Sequence, residues 1–170
     1  MVQEPQPIPT SEFADVDSID SIIRALYDSI SFGAGEQPNS NRLRSLFMPG
    51  AHLIHVKTDV IDTMDVETFI ARLIQQIQAG ILTEFIEAEL ARRTETFGNI
   101  AQVFSTFETR LVTDYRSSSA RGIHSIQLMR YGDRWWITNL LWDDEQSDKP
   151  IPPEYLPQNH PQNDPNNSPA

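Results

Sequence analysis

The stretch that decides the fold is GIHSIQLMRYGDRWWITNLLW, which spans residues 122–142. Residues 123–131 are rich in β-forming side chains, Gly132 and Asp133 interrupt them, and residues 134–142 resume with Trp, Ile, Thr and Leu. This pattern predicts two long strands joined by a tight turn. We expect the rest of the chain to cover one face of this hairpin.

Composition favours one domain and argues against charged partners. The 170 residues are enough for a single core. The formal net charge of -11 leaves no dense Lys/Arg surface of the kind that nucleic acid or an anionic membrane requires. Cysteine is absent, which excludes disulfides and thiol catalysis, and no spacing of histidines supports a metal site. We therefore expect no nucleic acid, membrane, metal or cofactor as a partner.

The prolines mark the ends of the domain, since three of the 12 fall before Thr10 and seven at or after Pro150. We expect a flexible arm over residues 1–12, a single domain over residues 13–156 and a disordered tail over residues 157–170. The start of the chain has neither the basic nor the apolar region of a signal peptide, and no apolar run approaches membrane-spanning length. We therefore expect the protein in the cytoplasm.

The chain after the last predicted strand is apolar enough to pack on the domain. Its apolar side chains are Ile151, Tyr155 and Leu156. We expect them to lie against the body of the protein. The alternative is a free proline-rich recognition peptide.

The first helix is predicted from apolar residues that recur every three or four positions over residues 18–31. Asp17 is its expected N-cap, because a carboxylate there accepts hydrogen bonds from the first free amides. Gly33 is placed to end it.

Two further helices are predicted by the same pattern. A short one covers residues 40–47 and is followed by a turn and a strand over residues 51–57. The other begins at Asp65 as N-cap and ends at Gly80.

Beyond this helix the apolar pattern changes to strict alternation, which predicts strands. One strand covers residues 83–96 and a second covers residues 100–115, with a polar loop over residues 116–120 before the hairpin described first. The order is two helices, a strand, a helix and four strands. Three helices on one face of a largely antiparallel sheet define an α+β fold.

This order resembles the nuclear transport factor 2-like superfamily, which includes ketosteroid isomerases, SnoaL-like cyclases and scytalone dehydratases. The resemblance covers residues 17–145. More narrowly, FGNIAQVFSTFETR, RGIHSIQL, GDRWWI and PIPPEYL resemble a bacterial branch of that superfamily with no assigned activity. The resemblance implies a cone-shaped, cystatin-like fold, in which a curved mixed sheet wraps around three helices and leaves an apolar pocket inside.

The resemblance to ketosteroid isomerases also implies site residues. The base of that pattern falls at His55, its first oxyanion donor at Tyr27, its second donor near Gln127 and its pocket tryptophan at Trp142. Imidazole can accept a proton near neutral pH, and a phenol and an amide can both donate to an oxyanion. Because His55 and Gln127 replace carboxyl groups of the isomerase, steroid isomerisation itself is not expected. The alternative for His55 is a hydrogen-bonded structural histidine on a strand.

Further pocket residues follow from their positions on the predicted elements. Alternation puts Ser105 and Phe107 on one face of their strand and Thr106 and Glu108 on the other, and the sequence alone does not decide which face is inward. We favour the first face and expect Phe69, Phe107 and the hydroxyl of Ser105 to bind the ligand. Glu87 and Glu89 share one face of their strand, and we expect them to form a solvated rim.

The remaining histidines are weaker candidates for the site. His52 is expected on the opposite face from His55, because neighbouring strand residues point to opposite faces. His124 is one position out of phase with Gln127.

Two kinds of function therefore remain open. The first is a small-molecule pocket with acid–base chemistry of the isomerase, dehydratase or cyclase type on an apolar carbonyl ligand. The second is a non-catalytic interaction or accessory module with a vestigial pocket. For either function a homodimer is expected through the outer sheet face, where Trp135, Ile137 and Leu141 would form an apolar patch.

Overall fold

The structure is a computed structural model that describes residues 11–158. Residues 1–10 and 159–170, and with them most of the predicted arm and tail, lie outside this range. The elements in chain order are α1 (Phe13–Val16), α2 (Ile19–Ile30), α3 (Ser40–Leu46), β1 (Phe47–Val56), β2 (Ile61–Asp65), α4 (Val66–Gln78), β3 (Glu84–Phe97), β4 (Ile100–Val112), β5 (Ser117–Tyr131), β6 (Arg134–Asp144) and a 3-10 helix (Pro153–Tyr155).

The strands form one six-stranded mixed sheet in the order β2-β1-β6-β5-β4-β3. Strand β1 runs parallel to β6, and every other neighbouring pair is antiparallel. The hairpin of β5 and β6 closes at Gly132, whose φ of 66° favours glycine. The sheet curves around α2, so the predicted α+β cone is confirmed.

The long helix α2 begins one residue later than predicted. Its N-cap is Ser18, whose extended backbone lets Oγ accept a hydrogen bond from the Ser21 amide at 3.1 Å. The prediction of Asp17 as N-cap is wrong, because Asp17 has helical backbone angles at the end of α1. The helix ends at Ile30, before Gly33, and its C-cap is Ser31, whose hydroxyl donates to the Tyr27 carbonyl at 2.8 Å.

Helix α4 matches its prediction closely. Asp65 caps it by accepting from the Thr68 amide at 2.6 Å. The helix ends at Gln78 with Ala79 as its C-cap, and Gly80 follows with a φ of 70°.

Strand pairing overrides the predicted loops at three places. Strand β2, which was not predicted, forms because it lies antiparallel against β1 immediately before α4. Strand β1 begins at Phe47 rather than residue 51, since Phe47 pairs with Ile137 of β6. Residues 117–120, three serines and an alanine, extend β5 instead of forming a loop, because they pair with the end of β4.

A β-bulge in β6 reverses two of the predicted orientations. Gln127 pairs with Asn139 but Leu128 pairs with Ile137, so the ladder skips Thr138. Trp135 and Ile137 are consequently buried in the core rather than outward, and that part of the prediction is wrong.

The segment after β6 packs against the body of the protein, as predicted, and the structure places it on the outer face of the sheet. Ile151 is buried, the Thr106 hydroxyl donates to the Tyr155 carbonyl at 2.6 Å, and the Tyr155 ring lies 5.7 Å from that of Phe104. None of the helices between residues 11 and 158 is long and apolar enough to span a membrane.

Candidate functional site

A cavity of about 480 Å³ lies between the concave face of the sheet and helices α2 and α4. Its walls are largely apolar and include four aromatic rings, those of Phe69, Phe85, Phe107 and Trp142. Its titratable and cationic side chains are those of His55, Asp62, Arg72, Glu87, His124 and Asp144, and its other polar side chains are those of Gln76 and Thr109. An apolar cavity with a few convergent polar groups is the usual form of a small-molecule site.

One pair of polar groups joins β1 to the end of β6. His55 is opposite Trp142 in the parallel register, so Asp144, two residues further on, faces the same side. The His55 Nε2 atom lies 2.8 Å from the Asp144 Oδ2 atom, and the imidazole stacks on the Trp142 ring at 4.7 Å. A carboxylate only accepts hydrogen bonds, so Nε2 carries the hydrogen, and in the neutral imidazole Nδ1 then has the lone pair. This dyad can take up a proton.

A second polar pair consists of Glu87 on β3 and His124 on β5, both buried. The His124 Nε2 atom lies 3.6 Å from the Glu87 Oε1 atom, and the imidazole stacks on Phe107 at 4.3 Å. Burial lowers the pKa of His124 to about 3. Burial, and to a smaller extent the charge of Asp144, raises the pKa of Glu87 to about 8. At neutral pH the two side chains are therefore largely uncharged and form no ion pair.

Glu87 is placed to donate a hydrogen bond. Its Oε1 atom is buried and has no hydrogen-bond partner among residues 11–158. The 3.6 Å to His124 is longer than a hydrogen bond. A protonated carboxyl group in this state is a donor without an acceptor, and leaving such a group unpaired costs about 1–3 kcal/mol. A ligand oxygen would remove that cost.

Tyr27 lies behind the cavity wall rather than in it. Its hydroxyl is 2.7 Å from the Ser105 Oγ atom and 3.3 Å from the His124 Nδ1 atom. Burial raises the pKa of this phenol well above its usual value, so it stays neutral. Neither Tyr27 nor Ser105 is among the residues that line the cavity, and Tyr27 acts on the cavity through His124.

The structure brings together some of the predicted site residues and separates others. His55, Trp142, Phe107 and Phe69 line the cavity. Ser105 and Phe107 both face inward on β4, but only Phe107 reaches the cavity. The prediction that the Ser105 hydroxyl binds the ligand is therefore wrong, because that hydroxyl is bonded to Glu89 and Tyr27. His52 is exposed on the face opposite His55.

Gln127 does not lie in the cavity. It is exposed on the outer face of β5, because Ile126 and Leu128 on either side of it are buried. The prediction that Gln127 points into the pocket is therefore wrong.

Sequence reasoning missed Glu87 and His124, for different reasons. On β5 the apolar Ile126 and Leu128 alternate with the polar Ser125 and Gln127, so alternation could have placed His124 inward. On β3 alternation misleads, because the apolar Ile86 lies on the outer face while the acid beside it is buried. The predicted solvated rim at Glu87 is wrong.

The described residues offer no ready metal site. Between residues 11 and 158, no three histidine or carboxylate side chains come close enough together to hold a metal ion. The chemistry that can be assigned from the geometry is that of the two polar pairs.

Comparison with known proteins places the fold. No protein-family model matches the sequence, and no curated protein matches it. Among solved structures, a protein described as a calcium/calmodulin-dependent kinase II association domain from Exiguobacterium sibiricum is 11% identical, with a TM-score of 0.60, over 75% of this chain and 91% of its own. The type 2 hexachlorocyclohexane dehydrochlorinase LinA is 12% identical, with a TM-score of 0.59, over 79% of this chain and 91% of its own.

A third similar structure carries the name of the fold. It is a nuclear transport factor 2-like protein of unknown function from Silicibacter pomeroyi, 12% identical, with a TM-score of 0.51, over 75% of this chain and 92% of its own. The chain therefore has the nuclear transport factor 2-like fold, as the sequence resemblance implied. At these identities the likeness extends to the fold alone.

Proposed function

We propose that the protein binds a small apolar molecule that carries a carbonyl group and catalyses an acid–base reaction on it, of the isomerase, dehydratase or cyclase type. The single observation that carries this proposal is that one apolar cavity contains both a proton acceptor and a proton donor. The His55–Asp144 dyad can accept a proton, and buried Glu87 can donate one. The protein is expected to work in the cytoplasm.

The dyad would begin the reaction. The Nδ1 atom of His55 would remove a proton from the carbon next to the carbonyl group. The electron pair of that C–H bond would form the C=C bond of an enolate, while the π pair of the C=O bond moves onto the oxygen. Asp144, bonded to Nε2 at 2.8 Å, would stabilise the imidazolium that forms. His55 would then return the proton to a different carbon, or to a leaving group.

Glu87 would stabilise the oxygen on which negative charge develops. Because its carboxyl group is buried, its pKa of about 8 keeps it largely protonated at neutral pH. A hydrogen bond from such an acid to the developing enolate is stronger than the same bond to the ketone. Glu87 takes the role that the sequence assigned to Tyr27 and Gln127, because Tyr27 lies behind the wall and Gln127 lies outside.

The shape and charge of the cavity support an uncharged, apolar ligand. About 480 Å³ lies within the range for small-molecule sites, and leucine and aromatic side chains form most of the walls. The cationic Arg72 at the cavity is already bonded to Asp62 at 2.8 Å, so it offers no free charge for an anionic ligand. The dehydrochlorinase LinA, which has a similar fold, is an enzyme, and that this chain is also an enzyme is part of the proposal.

The proposal is tested in two steps. Native mass spectrometry of freshly purified protein should find a retained apolar molecule, which denaturation releases. Incubation with a panel of apolar cyclic ketones in deuterated water should then show faster exchange of the hydrogens beside the carbonyl group. If no compound in the panel binds, or if bound compounds exchange no faster than in buffer, the proposal fails.

A second candidate function, a non-catalytic dimeric module with a vestigial pocket, is favoured by an apolar patch on the outer sheet face. Phe97, Ile100 and Phe104 are 83%, 60% and 41% exposed. Phe97 pairs with Ile100 across β3 and β4, so the two side chains share one face. We propose a second copy of the chain as the occupant, since single exposed apolar residues are ordinary but contiguous ones favour association. Leu141 remains outward and partly exposed, whereas Trp135 and Ile137 of the predicted patch are buried.

A further inference from the structure

We propose that Glu89 and Ser105 position His124, acting through Tyr27 as a directional hydrogen-bond chain. The chain places the hydrogen of the neutral imidazole on Nδ1 and leaves the lone pair of Nε2 toward Glu87 in the cavity. Glu89 and Ser105 are positioning residues here, since neither lines the cavity. The direction of the hydrogen bonds follows from the number of hydrogens that each group can donate.

The hydrogen-bond chain begins at an ion pair near the surface. Arg92 donates to Glu89 from Nε at 3.0 Å and from the terminal nitrogen at 2.7 Å. Arg92 also bonds Asp20 on α2 at 2.5 Å. A carboxyl group held in such a fork is a carboxylate, and a carboxylate accepts hydrogen bonds but cannot donate.

Ser105 comes next and has a single hydrogen to give. Its hydroxyl is bonded to the Glu89 Oε2 atom, and because Glu89 can only accept, Ser105 must be the donor. The Ser105 oxygen is then free only to accept from Tyr27, which lies 2.7 Å away. The one hydrogen of the Tyr27 hydroxyl is therefore used on Ser105.

His124 completes the chain. The Tyr27 oxygen can now only accept, so the His124 Nδ1 atom at 3.3 Å must carry the hydrogen that joins them. A neutral imidazole has one N–H, and Nε2 is left with its lone pair. That nitrogen is 3.6 Å from the unpartnered Oε1 atom of Glu87.

The consequence is a defined pair of groups at the polar end of the cavity, one donor and one acceptor. Glu87 supplies the donor and the Nε2 atom of His124 the acceptor. The opposite tautomer would put an N–H there and leave two donors. If the proposed function holds, the group that satisfies both atoms is a hydroxyl or an enol, which accepts and donates at once. A ketone oxygen satisfies Glu87 alone, so the site would favour the enol form during the reaction.

The test reads the tautomer directly and needs no ligand. In 15N-labelled protein at neutral pH, two-bond proton–nitrogen correlation spectra distinguish the protonated imidazole nitrogen from the unprotonated one. The expected result for the wild type is a protonated Nδ1 in His124. A protonated Nε2 in the wild type overturns the proposal, whether or not the protein proves to be an enzyme.

Two variants test the direction of the chain. In Ser105→Ala the Tyr27 hydroxyl loses its acceptor and should donate to His124 Nδ1, which moves the imidazole hydrogen to Nε2. In Glu89→Gln, Arg92 should still donate to the oxygen of the new amide, so the amide N–H should donate to Ser105. Ser105 would then donate to Tyr27 and Tyr27 to His124 Nδ1, which again moves the imidazole hydrogen to Nε2.

The matched control is Glu84→Gln, which removes an acid of the same strand that pairs with Arg110. This variant should leave the tautomer unchanged. Because Glu89 is partly exposed, Glu89→Gln remains informative even if the buried Ser105→Ala variant does not fold. If the folded variants keep the wild-type tautomer, Glu89 and Ser105 do not position His124.

Discussion

Phe107 occupies the space in which residue 122 would carry a side chain. A Cβ atom on Gly122 would lie 2.5 Å from the Cζ atom of Phe107 and 2.4 Å from the backbone oxygen of Asp143. The absence of that carbon lets the Phe107 ring lie flat against His124, at 4.3 Å. Gly122 therefore sets the wall of the cavity by close approach rather than by unusual backbone angles.

Gly122→Ala should accordingly destabilise the protein by about 3 kcal/mol, because the backbone oxygen cannot withdraw as a side chain could. Chemical denaturation measures this change. Gly33→Ala is the control, since its new carbon meets only the flexible end of Glu36 at 3.3 Å and should cost much less. Equal stability of the two variants would contradict the close approach.

The N-terminus of α2 offers a matched pair of substitutions. Ser18→Ala removes the side chain that accepts from the Ser21 amide and should cost about 1 kcal/mol of unfolding free energy. Asp17→Ala, one residue earlier, removes an exposed carboxylate that does not cap the helix and should cost less than about 0.5 kcal/mol. Thermal or urea denaturation distinguishes the two, and the reverse order would restore Asp17 as the cap.

Stability should depend on pH through the buried Glu87. In the unfolded chain this carboxyl group titrates near 4.5, and in the folded protein its pKa is raised to about 8. Between these values the folded state holds a proton that the unfolded state has lost, so stability falls as pH rises. His124 acts oppositely, since its pKa falls from 6.5 to about 3 and its contribution rises with pH up to 6.5. Where the two pH ranges overlap, the effects of Glu87 and His124 on stability offset each other. Of the two groups, only Glu87 changes the stability between pH 6.5 and pH 8.

Urea denaturation at the two ends of that upper window isolates the effect. The wild type should lose about 1–2 kcal/mol of stability on going from about pH 6.5 to about pH 8. Glu87→Gln cannot titrate and should lose much less. A parallel decline in both proteins would mean that Glu87 is already ionised at neutral pH.

His55 can be tested against a second histidine on its own strand. If His55 is the base, His55→Gln should lower the rate of carbonyl-adjacent hydrogen exchange about 100-fold or more, while retained ligand still binds. His52→Gln changes the same residue type on the opposite, exposed face and should leave the rate unchanged. Undiminished exchange in His55→Gln would remove His55 from the mechanism.

The outer-face patch predicts a dimer that one charge disrupts. Light scattering after size exclusion should give twice the chain mass for the wild type, and Ile100→Glu should shift the protein toward monomer, because a charge would enter an apolar contact. Ser118→Glu places the same charge at the far end of the β4–β5 ladder and should not. A monomeric wild type at micromolar concentration would exclude this interface.

The fold was largely accessible from the sequence because its signals are local and repeated. The helical period of α2, the cap at Asp65 and the break at Gly132 each follow from a few neighbouring residues. The errors arise where the register and extent of strand pairing, rather than the pattern of side chains, decide the structure. No local signal reveals the bulge at Thr138 that turns Trp135 inward, or the contact with β1 that creates β2.

The site was harder to predict because its polar groups are exceptions to alternation. Burial normally follows apolarity, so an acid such as Glu87 on the inner face contradicts the rule by which faces are assigned. His55 was placed correctly by resemblance, but its partner Asp144 lies 89 residues away in sequence. Pairs of this kind become visible only when the register of β1 against β6 is known.

The position of β6 between β1 and β5 has a consequence for how the protein is made. The last strand to be synthesised is the one that joins the β1–β2 pair to the β3–β4–β5 half of the sheet. A nascent chain still short of Asp144 would have two separate sheet pieces, each with an open edge. Completion of the cone, and with it the assembly of the proton-accepting dyad, must therefore wait until β6 itself has been synthesised and has left the ribosome.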